Sequence, residues 1–451
     1  MPARELTHEQ CRRVVDAASL AFETTSEVEP SKGVVSQERA LEALELGLEI
    51  RQPRFHIVVV GSPGSGRTFS VRSMAERVAA ERPTPDDLLL LPNPDRFSEP
   101  TALFLPAGDG RAFLDTMSNL YGKIIESLHA ATEGERFKQA ETRARRGSRR
   151  QEARLEDQLS EAVAVHGFTV ERDGDEIELR RQEADDEPPP SEEVVEAVKT
   201  AVDEFESKLA DIHEEAEAEL RSSIKQFLSD AIKGHFAPLH TKFAKNVDVN
   251  EFLGKLETAV TTRVQQLIDE PRGDEGPALS RGFVVPTLLT EHRAGSGAPV
   301  VEVAHPTLST LFGRSHSPPD ASFPPEPGFA VAGALHQAMG GFLILPAAAL
   351  LKNEALYEHL KACLLSGRFI VPDQNPSYYR GAAEELLFPS IPIDVKLMLV
   401  AGPHLFQELH AADPEFSQLF KVQARFEPTL PIQDAARTYP AFLSGLSKER
   451  N

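Results

Sequence analysis

With 451 residues the chain is long enough for two or three domains, and 41% hydrophobic residues give it the means to build a core. A formal net charge of −22 argues against broad nucleic-acid binding, because phosphates would be repelled rather than neutralised. Cys11 and Cys363 are too few and too far apart for a disulfide framework or a zinc site. The N-terminal MPARELTHEQ has no apolar signal core, and the longest apolar stretch, 341–351, is too short to span a bilayer, so a reducing cytoplasm is the expected compartment.

Residues 1–30 form a leader. Over 31–108 helix-like and strand-like segments alternate. Residues 55–60, FHIVVV, are a β-branched run expected to be a buried strand, and 70–80 have helical periodicity. Between them lies GSPGSGRT, residues 61–68. It satisfies the phosphate-loop pattern at Gly61, Gly66 and Thr68 but carries Arg67 where lysine belongs. Backbone N–H groups from Ser62, Pro63's successors Gly64 and Ser65, and on to Thr68 are expected to face phosphate oxygens, aided by a helix N-terminus. Residues 87–91 and 102–106 are further strand candidates.

Residues 109–281 are charged and helical and read as an insertion. Phe113, Met117, Leu120, Ile124 and Leu128 mark a first arm. Arg143, Arg145, Arg146, Arg149, Arg150 and Arg154 form a basic run, expected to pair with the acidic segment 204–219. Residues 168–172 and 175–179 flank Asp173-Gly174, a hairpin-turn signal. Val195, Val198, Val202, Phe205, Leu209, Ile212 and Ala216 repeat at steps of three and four, a heptad seam whose expected partner is the first arm. An antiparallel helical hairpin follows from this pattern. From 282 to 430 the α/β character returns, with strand candidates at 283–289, 341–345 and 395–401. Residues 31–108 hold too few strands to close a sheet alone, so the expected fold is α/β: a parallel sheet split by a long coiled-coil insertion that carries a small β-hairpin.

The order of several blocks resembles the ATPase portion of the bacterial Lon-related ATP-dependent proteases, an AAA+ family. These blocks include Phe22-Glu23-Thr24-Thr25, Ser36-Gln37-Glu38-Arg39, the phosphate loop followed by Arg82-Pro83-Thr84-Pro85-Asp86-Asp87, Gly297-Ala298-Pro299, Leu311-Phe312-Gly313-Arg314, Gly340-Gly341-Phe342-Leu343-Ile344-Leu345 and Leu419-Phe420-Lys421-Val422. The resemblance implies that ATP or ADP is the ligand, with Val34, Val35 and Gln37 at the adenine and Gly61 to Thr68 at the phosphates. It places Leu311 to Arg314 at a substrate-facing pore loop. It also makes Lys421 a cation offered to a neighbouring copy's nucleotide, implies assembly with further copies, and makes residues 431–451 the start of a helical lid.

The chain departs from the family at the metal. The relatives carry aspartate directly after the Leu-Ile-Leu strand to hold Mg²⁺; here Pro346 stands there, with Glu354 too far along to replace it. Thr68 remains as a hydroxyl ligand. Gly402-Pro403 replaces the polar residue that would sense the terminal phosphate. No Ser/Lys peptidase pair is recognised: Ser222 to Lys225 match S-x-x-K but lie on the seam, and His336 and His404 read as packing or surface histidines. The expected function is a nucleotide-binding protein impaired in hydrolysis and without protease activity, a scaffold or adaptor acting through its helical insert. The alternative is a slow ATP-driven unfoldase ring serving a separate peptidase.

Overall fold

The computed structural model describes residues 5–8, 11–12, 14–15, 17–30, 37–96, 98–173, 176–181, 190–269, 279–315, 330–370, 387–429 and 432–449. In chain order, α1 (Glu38–Glu49) leads to β1 (Ile57–Val60), the phosphate loop and α2 (Arg67–Ala80), then β2 (Asp87–Leu91) and β3 (Thr101–Leu105). Four helices and a hairpin follow: α3 (Asp109–Thr132), α4 (Glu135–Ala164), β4 (Phe168–Asp173), β5 (Glu176–Arg181), α5 (Glu192–Lys242) and α6 (Val247–Asp269). The chain returns through β6 (Thr287–Thr290), β7 (Val300–Glu302), α7 (Leu308–Phe312), β8 (Arg314–Ser315), β9 (Ala330–Val331), α8 (Ala334–Gln337) and β10 (Phe342–Pro346). It continues with α9 (Ala347–Leu350), α10 (Glu354–Ser366), β11 (Arg368–Phe369), β12 (Ile391–Pro392) and β13 (Lys396–Ala401). The last elements are α11 (Pro403–Ala412), α12 (Phe416–Leu419), β14 (Val422–Arg425) and α13 (Ile432–Glu449). Two compact units result: residues 1–115 with 285–451, and residues 116–284.

In the first unit a five-stranded parallel sheet has the order β14-β1-β13-β10-β7. Among its strands β1 alone precedes the insertion; the others come from residues 300–425. Successive side chains alternate between faces, as strand geometry requires. Val58, Val60, Leu343, Leu345, Leu397 and Leu399 face one buried cluster with α10 and α11. Ile57, Val59, Phe342, Ile344, Met398 and Val400 face another with α1 and α2. Burial on both sides explains why these strands read as unbroken apolar runs.

A separate antiparallel sheet, β3-β2-β6, takes the remaining strand candidates. The expected strand at 283–289 begins later than its apolar pattern, because Arg281–Phe283 form a 3-10 turn and pairing starts at Thr287. Asp87 starts β2 fully buried. It accepts backbone N–H bonds from Gly108 (2.9 Å) and Gly110 (3.0 Å) on Oδ2 and from His292 (2.7 Å) on Oδ1.

The second unit is helical. The seam residues Val198, Val202, Phe205, Leu209 and Ile212 of α5 cluster with Leu155, Leu159 and Val163 of α4 and with Phe168, Val170 and Leu179 of the hairpin. This corrects the expected partner. The α3 residues Thr116 and Ser127 instead meet Lys242 (3.2 Å) and His235 (2.9 Å), in the other half of α5. Val195 is half exposed and Val194 takes its place against the cluster. The hairpin closes on Asp173↔Glu176, one residue later than a turn centred on Asp173-Gly174; Gly174 itself lies outside the described residues.

Charge pairing across the arms differs as well. Arg145 bonds Glu141 of its own helix (2.9 Å), and one contact between the arms joins His213 Nε2 to Glu152 (3.1 Å). Leu311 and Phe312 are fully buried, Phe312 lying edge-on to His359 at 5.0 Å, so neither faces a pore.

Candidate phosphate-binding site

The C-terminal ends of the parallel strands meet at one place. Val60 of β1 lies beside Ala401 of β13 and Arg425 of β14, and Pro346 of β10 pairs with Val400. With neighbouring strands ~4.8 Å apart, Pro346 lies about 10 Å from the start of the phosphate loop. The loop is tied down at its base: Gly61 N–H donates to Ala401 O (3.2 Å), Ser65 N–H to Ser62 O (3.2 Å) and Phe426 N–H to Val60 O (2.7 Å).

Glycine is required at this turn. Gly64 and Gly66 have φ of 83° and 82°, the left-handed region where a Cβ is penalised. A Cβ on Gly61 would come within 2.7 Å of Ser65 Oγ and 2.9 Å of Phe426 Cβ. Because α2 opens at Arg67, the amides of Arg67, Thr68 and Phe69 have no acceptor one turn back, and the helix dipole adds partial positive charge. Ser65 Oγ is buried without a hydrogen-bond partner. Free amides, an orphaned hydroxyl and a backbone cradle closed to side chains fit a phosphate group.

Arg67 does not extend from the cradle. Its Nη1 donates to the carbonyls of Gly61 and Ala401, the latter at 2.7 Å, bridging the ends of β1 and β13. Partial burial lowers the guanidinium's pKa from its ordinary value. Thr68 sits exposed on the first turn of α2, as do Pro63 and Gly64 in the loop, with Ser62 half-buried.

The other sequence-derived residues are spread out. Gln37 is buried and both ends of its amide are committed to one residue. Nε2 donates to Glu427 O (3.2 Å) and Oε1 accepts from Glu427 N–H (2.8 Å), tying α1 to the chain after β14. Val34 and Val35 lie outside the described residues. Lys421 is exposed, its Nζ over the Phe55 ring at 4.4 Å. It precedes β14, so it stands at the opposite end of the sheet from its own phosphate loop.

Gly402 caps α11 with Pro403 in its first turn, and Pro346 caps α9. Neither carries an acidic or hydroxyl group. Glu354 is exposed at the start of α10. His336 is buried, accepts from Gly333 N–H on Nδ1 (3.2 Å) and lies tilted against the Phe369 ring at 4.1 Å, while His404 is exposed beside Glu408. The Ala401 carbonyl and Phe426, which complete the loop's floor, come from far along the chain. No local spacing in the sequence points to either.

A parallel sheet in this strand order with a glycine loop between β1 and α2 defines a P-loop nucleotide-binding domain of the AAA+ class. Residues 296–427 match the LonB-like AAA domain. The Archaeal Lon protease of Archaeoglobus fulgidus is 30% identical over 112 residues, 24% of this chain and 17% of that protein. Those of Pyrococcus abyssi and Thermococcus kodakarensis are 31% identical over 100 residues and 32% over 98, each over 21% of this chain and over 10% and 15% of those proteins. The chain therefore carries a Lon-related AAA+ portion, while the aligned region spans less than a fifth of each of these relatives. Among solved structures, NtrX from Brucella abortus superimposes with a TM-score of 0.24 at 16% identity, over 43% of this chain and 35% of that one. Among the described residues no helix is long and apolar enough to cross a membrane.

Proposed function

We propose that this chain binds ATP or ADP in the loop Gly61 to Thr68, hydrolyses it poorly or not at all, and serves as a scaffold or adaptor through its helical insert. The observation that carries this reading is the pair of residues at the strand ends beside the loop. Pro346 and Gly402 stand where hydrolysis needs a carboxylate for magnesium and a polar group for the terminal phosphate. Thr68 brings a hydroxyl, but a single neutral donor does not fit a firmly held Mg²⁺. The loop amides and Arg67 are untouched by those substitutions and are the groups to hold the phosphates. Arg67 keeps a positive charge, although its planar fork differs from a compact ammonium.

A Mg-ATP turnover assay on the full chain, with Arg67→Ala as control, tests the reading. Turnover near background in both is expected. Robust turnover that Arg67→Ala abolishes would overturn it. A second reading, a slow ATP-driven ring that unfolds substrates for a separate peptidase, is favoured by the exposure of Lys421 at the far end of the sheet. From there it could serve only a neighbouring copy's nucleotide. Loss of ATP turnover on Lys421→Ala, without loss of ADP binding, would select that reading.

A further inference from the structure

The outer faces of the two long arms carry opposite charges. On α4, Arg143, Arg146, Arg150 and Arg154 recur at steps of three and four, which gathers them into one stripe about 16 Å long. That stripe lies opposite Ala144, Ser148, Leu155 and Leu159, the buried face of the helix. All four arginines are exposed and, among the described residues, have no ion pair. On α5, Glu196, Asp203, Asp211 and Glu214 lie opposite the buried Val198 and Phe205 in a stripe about 27 Å long. They too are exposed and, among the described residues, unpaired. Each stripe points away from the interface between the arms, so the two cannot neutralise each other within one copy.

We propose that they meet between copies, the arginine stripe of one α4 docking on the carboxylate stripe of a second copy's α5. Guanidinium forks match carboxylates in bidentate geometry. Both stripes are built on helices with the same rise per residue, so several pairs can form in register. The carboxylate stripe of another copy's α5, about 27 Å long, is long enough to cover the arginine stripe, so the complementarity is local and acts at contact distance. Different faces are used on the two copies, so the contact is heterologous and propagates into a ring or a filament. Exposed ion pairs are individually weak and screened by salt. The association is therefore concentration-dependent and sensitive to ionic strength.

Sedimentation velocity of the full chain without nucleotide tests this at about 50 mM and about 500 mM NaCl, where the screening length differs severalfold. Oligomers that grow with concentration at low salt and dissolve at high salt are expected. Arg143→Glu, Arg146→Glu, Arg150→Glu and Arg154→Glu combined should raise the dissociation constant at least tenfold, and so should Glu196→Lys, Asp203→Lys, Asp211→Lys and Glu214→Lys combined. Mixing the two variants should restore association, a rescue that a folding defect cannot produce. The single variant Arg150→Glu gives a smaller shift in the same direction should either combination fail to fold. A wild type that stays monomeric at low salt, variants that sediment like it, or a mixture that does not associate would overturn the proposal. So would a single-stranded DNA oligonucleotide that displaces the second copy from wild type and does not bind the arginine variant.

Discussion

The Nη1 atom of Arg67 lies 2.7 Å from the carbonyl oxygen of Ala401, so a residue of the phosphate loop is fastened to the end of the neighbouring strand. The same nitrogen also donates to the Gly61 carbonyl. The guanidinium closes the floor of the cradle from which a phosphate would be bound. Arg67→Ala removes both this clamp and the cation. We expect ADP affinity by calorimetry to fall about tenfold, near 1.4 kcal/mol. Stability in urea is expected to fall by about 1–2 kcal/mol as the two carbonyls lose their donor. Unchanged affinity would mean that the arginine stays on the carbonyls when phosphate binds.

Pro346 ends β10 opposite Val400, about two strand spacings from the loop. Replacing it by aspartate puts a carboxylate at that strand end. Wild-type ADP binding is expected to change less than about threefold between EDTA and Mg²⁺, under about 0.7 kcal/mol. Pro346→Asp should bind at least tenfold tighter with Mg²⁺ than without. A wild-type protein already showing that gain would place a metal ligand elsewhere and count against the impaired-hydrolysis reading.

Much of the parallel sheet was legible because burial on both faces leaves continuous apolar strands such as IVVV at Ile57–Val60. Its glycine loop follows a fixed spacing. Less legible was everything set by partners distant in sequence. A heptad stripe names the buried face of α5 but not what covers it, so the pattern alone does not distinguish α3 from Leu155, Leu159 and Val163 of α4, which cover Val198 and Phe205. A short apolar run such as 283–289 cannot say which sheet it joins or where pairing begins. Leu311 and Phe312 looked like an exposed loop by resemblance, yet α7 turns them into the core beside Phe369. At the site, the bonds from Arg67 to Ala401 and from Gln37 to Glu427 join residues more than three hundred positions apart. No local pattern encodes either.

His336 couples the stability of the fold to pH. Burial lowers its pKa from 6.5 to about 4, so the folded state holds a neutral ring that accepts from Gly333 N–H. The stabilisation is fully present above pH 6.5 and is lost as pH falls toward 4, because the unfolded chain takes up the proton first. The shift corresponds to about 3 kcal/mol. His336→Asn keeps an acceptor without titrating. Urea midpoints measured from pH 7 to 4 should fall less steeply for the variant. His56, lowered to about 3 chiefly by burial and further by Lys396, titrates in both proteins, so the difference between the curves isolates His336. Parallel curves would show that the ring is hydrated.

Asp87 is buried to 0% exposure at the start of β2, and its carboxylate receives three backbone N–H groups, from Gly108, Gly110 and His292. Gly110 is held to glycine by the same contact, since a Cβ there would come within 2.8 Å of Asp87 Oδ2. Two donors belong to the turn into α3 and the third to the chain after β6, so one side chain ties both edge strands, β3 and β6, at one end of the antiparallel sheet. Asp87→Ala leaves all three N–H groups without an acceptor in a site that water does not reach, at a cost of about 3 kcal/mol or more. Asp87→Asn keeps one acceptor oxygen but points an amide N–H₂ at a donor, and should recover less than half of that loss. Equilibrium urea unfolding of both variants measures this. A loss below about 1 kcal/mol in Asp87→Ala would mean that solvent reaches these amides and that the carboxylate is not their anchor.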